Sequence, residues 1–322
     1  MFESGAHFGN YVVTRLLGKG GMGEVYLMEN VVSGEFHAVK ILVAEDDELK
    51  VRFVREAENA MRLHHPNIVS VFDAGKDPET GLCYMTMEYV PHGSLRDLIE
   101  GKGPLGIGQV CSVTAGIAAA LAAIDAAGLV HRDVKPANIL IAADGTAKLA
   151  DLGMSRFTEA KGSANVTDAG EVVGTPAYMA PEQMLDSSGV DGRADIYSLG
   201  CVMYEMLAGR RANEGESPMT TLARALENMP PPDVRGERRD CPPQLAALVA
   251  AMMSPDFSQR PADARTVLAL LAHPGSIRVE DVEFSSGKAW YSDRATLYAL
   301  VAIVFSLEAL VVAIATVLKR LG

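Results

Sequence analysis

Between two apolar runs, Val130-His131-Arg132-Asp133-Val134-Lys135-Pro136-Ala137-Asn138 crowds basic, acidic and amide side chains into one short stretch. A surface loop of random composition has no reason to converge so many polar groups, whereas a catalytic loop does. Upstream, Gly18-Lys19-Gly20-Gly21-Met22-Gly23-Glu24-Val25 fits G-x-G-x-x-G-x-V. Its glycines let the main chain approach phosphates closely, with N–H groups turned toward the negative charge. Taken alone this pattern is weak, because glycine-rich turns also join ordinary strands. Dinucleotide-binding folds share the letters, but there a helix follows the loop. Here Glu24-Val25-Tyr26-Leu27-Met28 continues with alternating polarity, which favours a strand hairpin over a nucleotide. Next, Lys40 ends the apolar segment Ala38-Val39-Lys40, an awkward place for a charge unless an anion or a partner waits nearby. Glu56 on the following helix can be that partner; the alternative is an exposed strand lysine and an unrelated surface glutamate.

The elements that must position these groups change character along the chain. Tyr11–Leu17, Glu24–Met28 and Phe36–Val43 are short runs rich in Val, Tyr and Leu, separated by Gly and Ser turn signals. One helix interrupts them, with Val51, Val54, Ala57 and Met61 at helical spacing and charges on the other face. After Leu95 the chain turns mostly helical, and residues 110–128 and 195–209 are long and largely apolar. The first is long enough to be mistaken for a membrane span, but its Ala, Ser, Thr and Gly are weakly hydrophobic and Asp125 interrupts it, so a buried core helix is expected. The layout is α+β: a small β-rich lobe followed by a larger helical lobe, with no internal repeat.

Bulk properties narrow the function classes. A net charge of −12 argues against general nucleic-acid binding, which needs a basic face to neutralise phosphates. The four cysteines are scattered without a CxxC pair, a pattern of reduced thiols and not of a disulfide scaffold or zinc site. Met1–Asn10 lacks the basic and apolar regions of a secretory signal. The polar residues 273–295 read as a linker, and 296–318 as a transmembrane helix, with 319–322 as a short tail. Leu297–Leu318 carries one carboxylate, Glu308, whose insertion cost its many Leu, Ile, Val and Phe outweigh. A buried or coiled-coil helix is the alternative, but the segment offers no polar face for it.

The ordered motifs identify the resemblance. The glycine loop, Ala38-Val39-Lys40, Glu56, the 131–138 loop, Asp151-Leu152-Gly153 and Ala180-Pro181-Glu182 resemble the eukaryotic-type (Hanks-type) Ser/Thr protein kinases, specifically the membrane-bound bacterial kind. The resemblance covers about residues 8–272, with a β-rich N-lobe to about residue 90 and a helical C-lobe beyond it. It implies the bilobal protein-kinase fold, to which the C-terminal transmembrane helix is added.

The resemblance also implies roles. Lys40 grips the α- and β-phosphates of ATP, oriented by Glu56. Gly18, Lys19, Gly20, Gly21 and Gly23 cover the phosphates. Met87 is the gatekeeper, the backbones of Glu88 and Val90 bond adenine, and Val25 and Ala38 pack on its faces. Asp133 orients the substrate hydroxyl and accepts its proton, and Lys135 steadies the γ-phosphate. Asn138 and Asp151 hold magnesium, with manganese as the alternative ion. Glu182 pairs with Arg260, and Asp195 braces the catalytic loop.

Arg132 before the catalytic Asp implies a switch by activation-loop phosphorylation, with Thr167 and then Thr158 as leading acceptors and Ser163 and Ser155 as further candidates. Thr175 positions the substrate, and with Lys135 it points to Ser/Thr acceptors. Ala137 and Ser94 stand where Arg-directed kinases often carry Glu, so no strong demand for upstream Arg is expected. Partners implied are protein substrates, the membrane through the C-terminal helix, and a homodimer or membrane partner, with no nucleic acid. The kinase domain faces the cytoplasm of a single-pass inner-membrane protein, and the short tail makes direct external ligand sensing unexpected. Two rivals stand beside this reading. A pseudokinase scaffold predicts loss of Lys40, Asp133, Asn138 or Asp151, all of which are present; a small-molecule phosphotransferase lacks the long segment ending in Ala180-Pro181-Glu182. Leu152 replaces the family's usual Phe in a hydrophobic stack with His131 and Ala60, which is expected to be loose.

Overall fold

The computed structural model describes residues 2–20, 23–43, 46–152, 176–185, 189–213, 230–282 and 284. Residues 296–318, expected to span a membrane, and most of the expected linker lie outside the described residues, as do Gly21, Ser155, Thr158, Ser163, Thr167 and Thr175.

The strands of the first third form one sheet. Strands β1 (His7–Phe8), β2 (Tyr11–Gly20), β3 (Gly23–Asn30), β4 (Phe36–Leu42), β5 (Val71–Lys76) and β6 (Cys83–Glu88) are antiparallel in the order β1-β2-β3-β4-β6-β5. β2 and β3 run further than their apolar letters suggest, because the pairs Lys19↔Glu24 and Gly20↔Gly23 carry the ladder to the hairpin tip. Gly23 is obligatory there: a Cβ would lie 2.1 Å from the Ile41 carbonyl oxygen, so only glycine lets β3 approach β4 this closely. Helix α1 (Asp47–Met61) then lays Phe53 and Ala57 against Leu42, Cys83 and Met85.

The second lobe is built on helices. α2 (Leu95–Lys102) starts at a capping box: the Ser94 hydroxyl accepts from the Asp97 N–H at 3.3 Å, and Asp97 Oδ2 accepts from the Ser94 N–H at 2.8 Å. α3 (Ile107–Ala126) is apolar almost all round because it is the centre of the core, packed against the later helices. It buries Val113, Ile117, Leu121 and Ile124, and its Thr114 hydroxyl is satisfied by the Val110 carbonyl at 2.8 Å. A hairpin of β7 (Ile139–Ile141) and β8 (Ala147–Leu149) follows, then α4 (Pro181–Leu185), α5 (Arg193–Ala208), α6 (Pro243–Met252) and α7 (Ala264–Ala272). α5 is buried along most of its length and stops at Gly209, which takes the left-handed cap at φ 72°. Beyond α7, residues 274–276 and 279–281 form two short turns packed on α6, and the Arg235 guanidinium lies 5.3 Å from the Phe284 ring centroid.

Main-chain bonds tie the lobes beside the cleft. The Val69 N–H donates to the Leu149 carbonyl at 2.9 Å, and the Leu149 N–H donates to the Asn67 carbonyl at 2.8 Å. Deeper in the helical lobe, Arg260 is 4% exposed and its guanidinium meets both carboxylate oxygens of Glu182, at 2.6 and 2.9 Å. The same guanidinium donates to the carbonyls of Ser254, Arg193 and Pro255 and lies 4.9 Å from the Tyr197 ring centroid. A buried cation with this many partners tolerates the loss of its counter-charge poorly. Glu182→Ala should therefore lower unfolding stability by about 3 to 5 kcal/mol, read as a shift of the urea midpoint, with Glu182→Gln losing less.

Candidate active site

The polar loop before β7 is held from below by one buried carboxylate. Asp195, in the first turn of α5 and 3% exposed, accepts the His131 N–H on Oδ2 at 2.8 Å and the Arg132 N–H on Oδ1 at 2.6 Å. Burial pushes the Asp195 carboxyl pKa up, while the neighbouring His131 and the two N–H donors pull against that rise. Arg132 adopts φ 65°, a left-handed conformation unusual for a non-glycine residue, and its carbonyl accepts from the Gln183 side chain at 3.1 Å. His131 is fully buried. Its Nδ1 accepts the Asp133 N–H at 3.2 Å, which leaves Nε2 to donate to the Ala150 carbonyl at 3.0 Å. One imidazole thus links the loop to the residue preceding Asp151.

Asp133 is the meeting point of the loop. Lys135 Nζ lies 2.9 and 2.7 Å from its two carboxylate oxygens. The Asn138 side-chain nitrogen donates to Oδ2 at 2.8 Å and to the Asp133 carbonyl at 2.9 Å. This fixes the amide orientation and leaves the amide oxygen as the other polar atom of Asn138, an acceptor suited to a hard cation.

Across the cleft, Lys40 reaches from β4 to Asp151, Nζ to Oδ1 2.6 Å, with Asp151 in the left-handed region at φ 58°. Burial raises the Asp151 carboxyl, but the charge and hydrogen bond of Lys40, aided by His131 and Lys135, more than reverse this and hold it below the ordinary carboxylate range. Glu56 lies on α1; its side chain is outside the described set, and the partner of Lys40 among the described side chains is Asp151.

The roof and hinge of the cleft come from the sheet. Register places Val25 opposite Lys40, and Ala38 opposite Met87. Ala38, Val69, Met87 and Val90 form one apolar cluster, with Leu17, Val25, Leu140 and Ala150 packed against it. Such a slot suits a flat apolar ring. The Glu88 N–H is already taken by the Ser70 carbonyl at 2.8 Å, so a base edge held here would be read by the remaining main-chain groups of residues 88–90. The Glu88 carboxylate binds Lys148 of β8 at 2.9 Å, tying the hinge to the second lobe. Behind Met87 lies a small cavity of about 20 Å³ lined by Ala60, Ile68, Val69, Val71, Met85, Leu149, Asp151 and Leu152. Ala60 and Leu152 therefore share one wall of it.

The donor set can be tested against a metal. Among the described residues no group of three or more His, Cys, Asp or Glu converges. Asp151 and the Asn138 amide oxygen supply two hard oxygen donors, which fits an ion that completes its shell with phosphate oxygens and water, as magnesium does. Sequence reasoning overlooked Leu17, Leu140, Lys148 and Gln183. Lys148 carried a signal, a lone charge between Ala147 and Leu149 like that of Lys40; Gln183 carried none.

The family model for the protein kinase domain matches residues 11–274. The serine/threonine-protein kinase PknB of Mycobacterium tuberculosis is 39% identical over 252 residues, covering 76% of this chain and 40% of that protein. A probable serine/threonine-protein kinase of Streptomyces coelicolor, SCO3848, is 36% identical over 263 residues, covering 79% and 38%. The chain thus spans about two fifths of the length of these relatives. Among solved structures, the PknI kinase domain of M. tuberculosis superposes with a TM-score of 0.66 at 30% identity, over 85% of this chain and 100% of that one. With the two lobes, the 131–138 loop and these matches agreeing, the chain belongs to the Hanks-type bacterial serine/threonine protein kinases.

Proposed function

We propose that this protein transfers the γ-phosphoryl group of ATP to serine and threonine hydroxyls of protein substrates, in a magnesium-dependent reaction, and autophosphorylates its activation loop. The observation that carries the reading is the convergence of Lys135 and Asn138 on Asp133, facing the Lys40–Asp151 pair across the cleft. Asp133 is placed to orient an incoming hydroxyl and accept its proton, with Lys135 close enough to balance the charge of the acceptor and of a nearby phosphate. Lys40 supplies a cation for the phosphates, and the Ala38–Met87–Val90 slot supplies the surface for the base. Asn138 and Asp151 would hold magnesium, whose chemistry here is to neutralise charge on the phosphoryl group in transfer.

Residues 8–272 form the kinase domain in this proposal, and 273–295 the linker to a single membrane helix at 296–318, with the catalytic lobes cytoplasmic. Supporting the anchor are the length and apolarity of Leu297–Leu318. The helix α3 also has the length and hydropathy of a span, but it is built into the helical core.

Two measurements test this reading. With radiolabelled ATP and magnesium, Asp133→Asn should reduce autophosphorylation and labelling of a generic basic protein by about 10²- to 10⁴-fold; labelling equal to wild type would remove Asp133 from the chemistry. Leu152→Phe should fill the wall it shares with Ala60 and raise the basal rate, and an unchanged or lower rate would contradict a loose stack behind Asp151.

A further inference from the structure

The glycine hairpin raises a physical question of its own. Gly18, Gly20 and Gly23 carry no side chains to pack, and glycine loses more conformational freedom on ordering than any other residue. Something outside the nucleotide side must restrain the β2–β3 tip. Strand alternation shows where to look. Val25 packs with the Ala38–Met87–Val90 cluster, so its neighbours Glu24 and Tyr26 project to the opposite, outer face of the sheet.

On that face the N-terminal segment is laid across the hairpin. The Gly5 N–H donates to the Val13 carbonyl at 2.8 Å, and the Val13 N–H donates to the Ala6 carbonyl at 2.9 Å, binding residues 5–6 beside β2. The Phe2 ring meets Phe8 and Tyr26 edge-on, with centroids 5.5 and 5.8 Å apart. Tyr26 is 1% exposed, and its hydroxyl accepts the Phe2 N–H at 3.0 Å and donates to Glu24 Oε2. The other Glu24 oxygen holds Lys19 Nζ at 3.0 Å. Lys19 and Glu24 face each other in register, one pair from the Gly20↔Gly23 tip.

We infer that this outer-face relay, from Phe2 through Tyr26 and Glu24 to Lys19, is a positioning device that holds the glycine hairpin at the height where its main-chain N–H groups meet the nucleotide phosphates. An exposed Lys–Glu pair alone does little. Here the carboxylate is buried and held from behind by a buried phenol, so the pair is anchored to the sheet and not only to itself. The Tyr26 hydroxyl is pushed up by burial and by its bond to Glu24, and Glu24 is held down by its bonds from Tyr26 and Lys19. Donor and acceptor therefore keep their roles through neutral pH. The inference rests on the nucleotide reading of the site, and assigns Tyr26 and Glu24 no contact with the reacting atoms.

The test is phosphate selectivity. Magnesium-ATP and adenosine are titrated against the full-length protein and its Tyr26→Phe and Glu24→Gln variants. Each variant should weaken ATP binding by about three- to tenfold, the effect of one lost hydrogen bond, with adenosine affinity and kcat held within about twofold. Tyr26→Phe keeps the ring packing, and a thermal melt of both variants checks that the lobe is folded. Equal weakening of ATP and adenosine, or unchanged ATP affinity in both variants, would overturn the relay. A wild-type protein that binds neither ligand would overturn the nucleotide reading, and the relay with it.

Discussion

The site depends on one buried carboxylate. Asp195 gathers the N–H groups of His131 and Arg132 from 64 and 63 residues away and fixes the main chain that presents Asp133. Without those two bonds Arg132 would have little reason to hold φ 65°, and the turn that points Asp133 toward Lys135 and Asn138 would relax. The carboxylate sits in the first turn of α5, where the helix N-terminus favours negative charge. Because α5 is buried along most of its length against α3 and α6, the anchor cannot drift relative to the core. Rigidity thus passes from the apolar core, through the buried Val134, into a loop whose reactive groups are polar.

The first lobe contributes by the opposite means. Its sheet delivers Lys40 and the apolar slot, and among the described residues its connections to the helical lobe include the bonds of Asn67 and Val69 to β8, the Glu88–Lys148 ion pair, and the Lys40–Asp151 pair itself. All of these end on residues 147–151, so β8 and the residues after it act as the seam between lobes. Leu152 lies just past that seam, which is why its size bears on the wall behind Asp151 and not on the oxygen donors.

Much of this was legible along the chain, and what escaped has a common cause. Strands β2, β3 and β4 were legible as Val-, Tyr- and Leu-rich runs between turn signals and α1 by its period, whereas β1, β5, β6, β7 and β8 went unread. The weakly hydrophobic Ala, Ser, Thr and Gly of α3, with Asp125, marked a core helix, and its Val110, Val113, Ile117, Leu121 and Ile124 lie in the helical core. The 131–138 loop was legible because its groups are neighbours in sequence. By contrast, Gln183 on the Arg132 carbonyl, Leu17 and Leu140 in the apolar slot, and the Phe2–Tyr26–Glu24 chain depend on contacts between distant segments of unremarkable composition. Strand ends at Gly20 and Gly23 were missed because hairpin pairing, not side-chain hydrophobicity, extends them.

Lys40 and Asp151 hold one another at 2.6 Å. The same two groups are the ones a nucleotide and its metal would each need, one for an anion and the other for a cation. In the proposed reaction, loading the cleft would be a double exchange of counter-ions: the lysine would trade a carboxylate for phosphate while the carboxylate would trade an ammonium for metal. Neither group has to stand charged and unpaired in a partly buried place at either end of the exchange. A nucleotide arriving without metal would leave the carboxylate bereft, so in that reaction the pair would act as a coincidence requirement, favouring the joint arrival of both ligands over either alone.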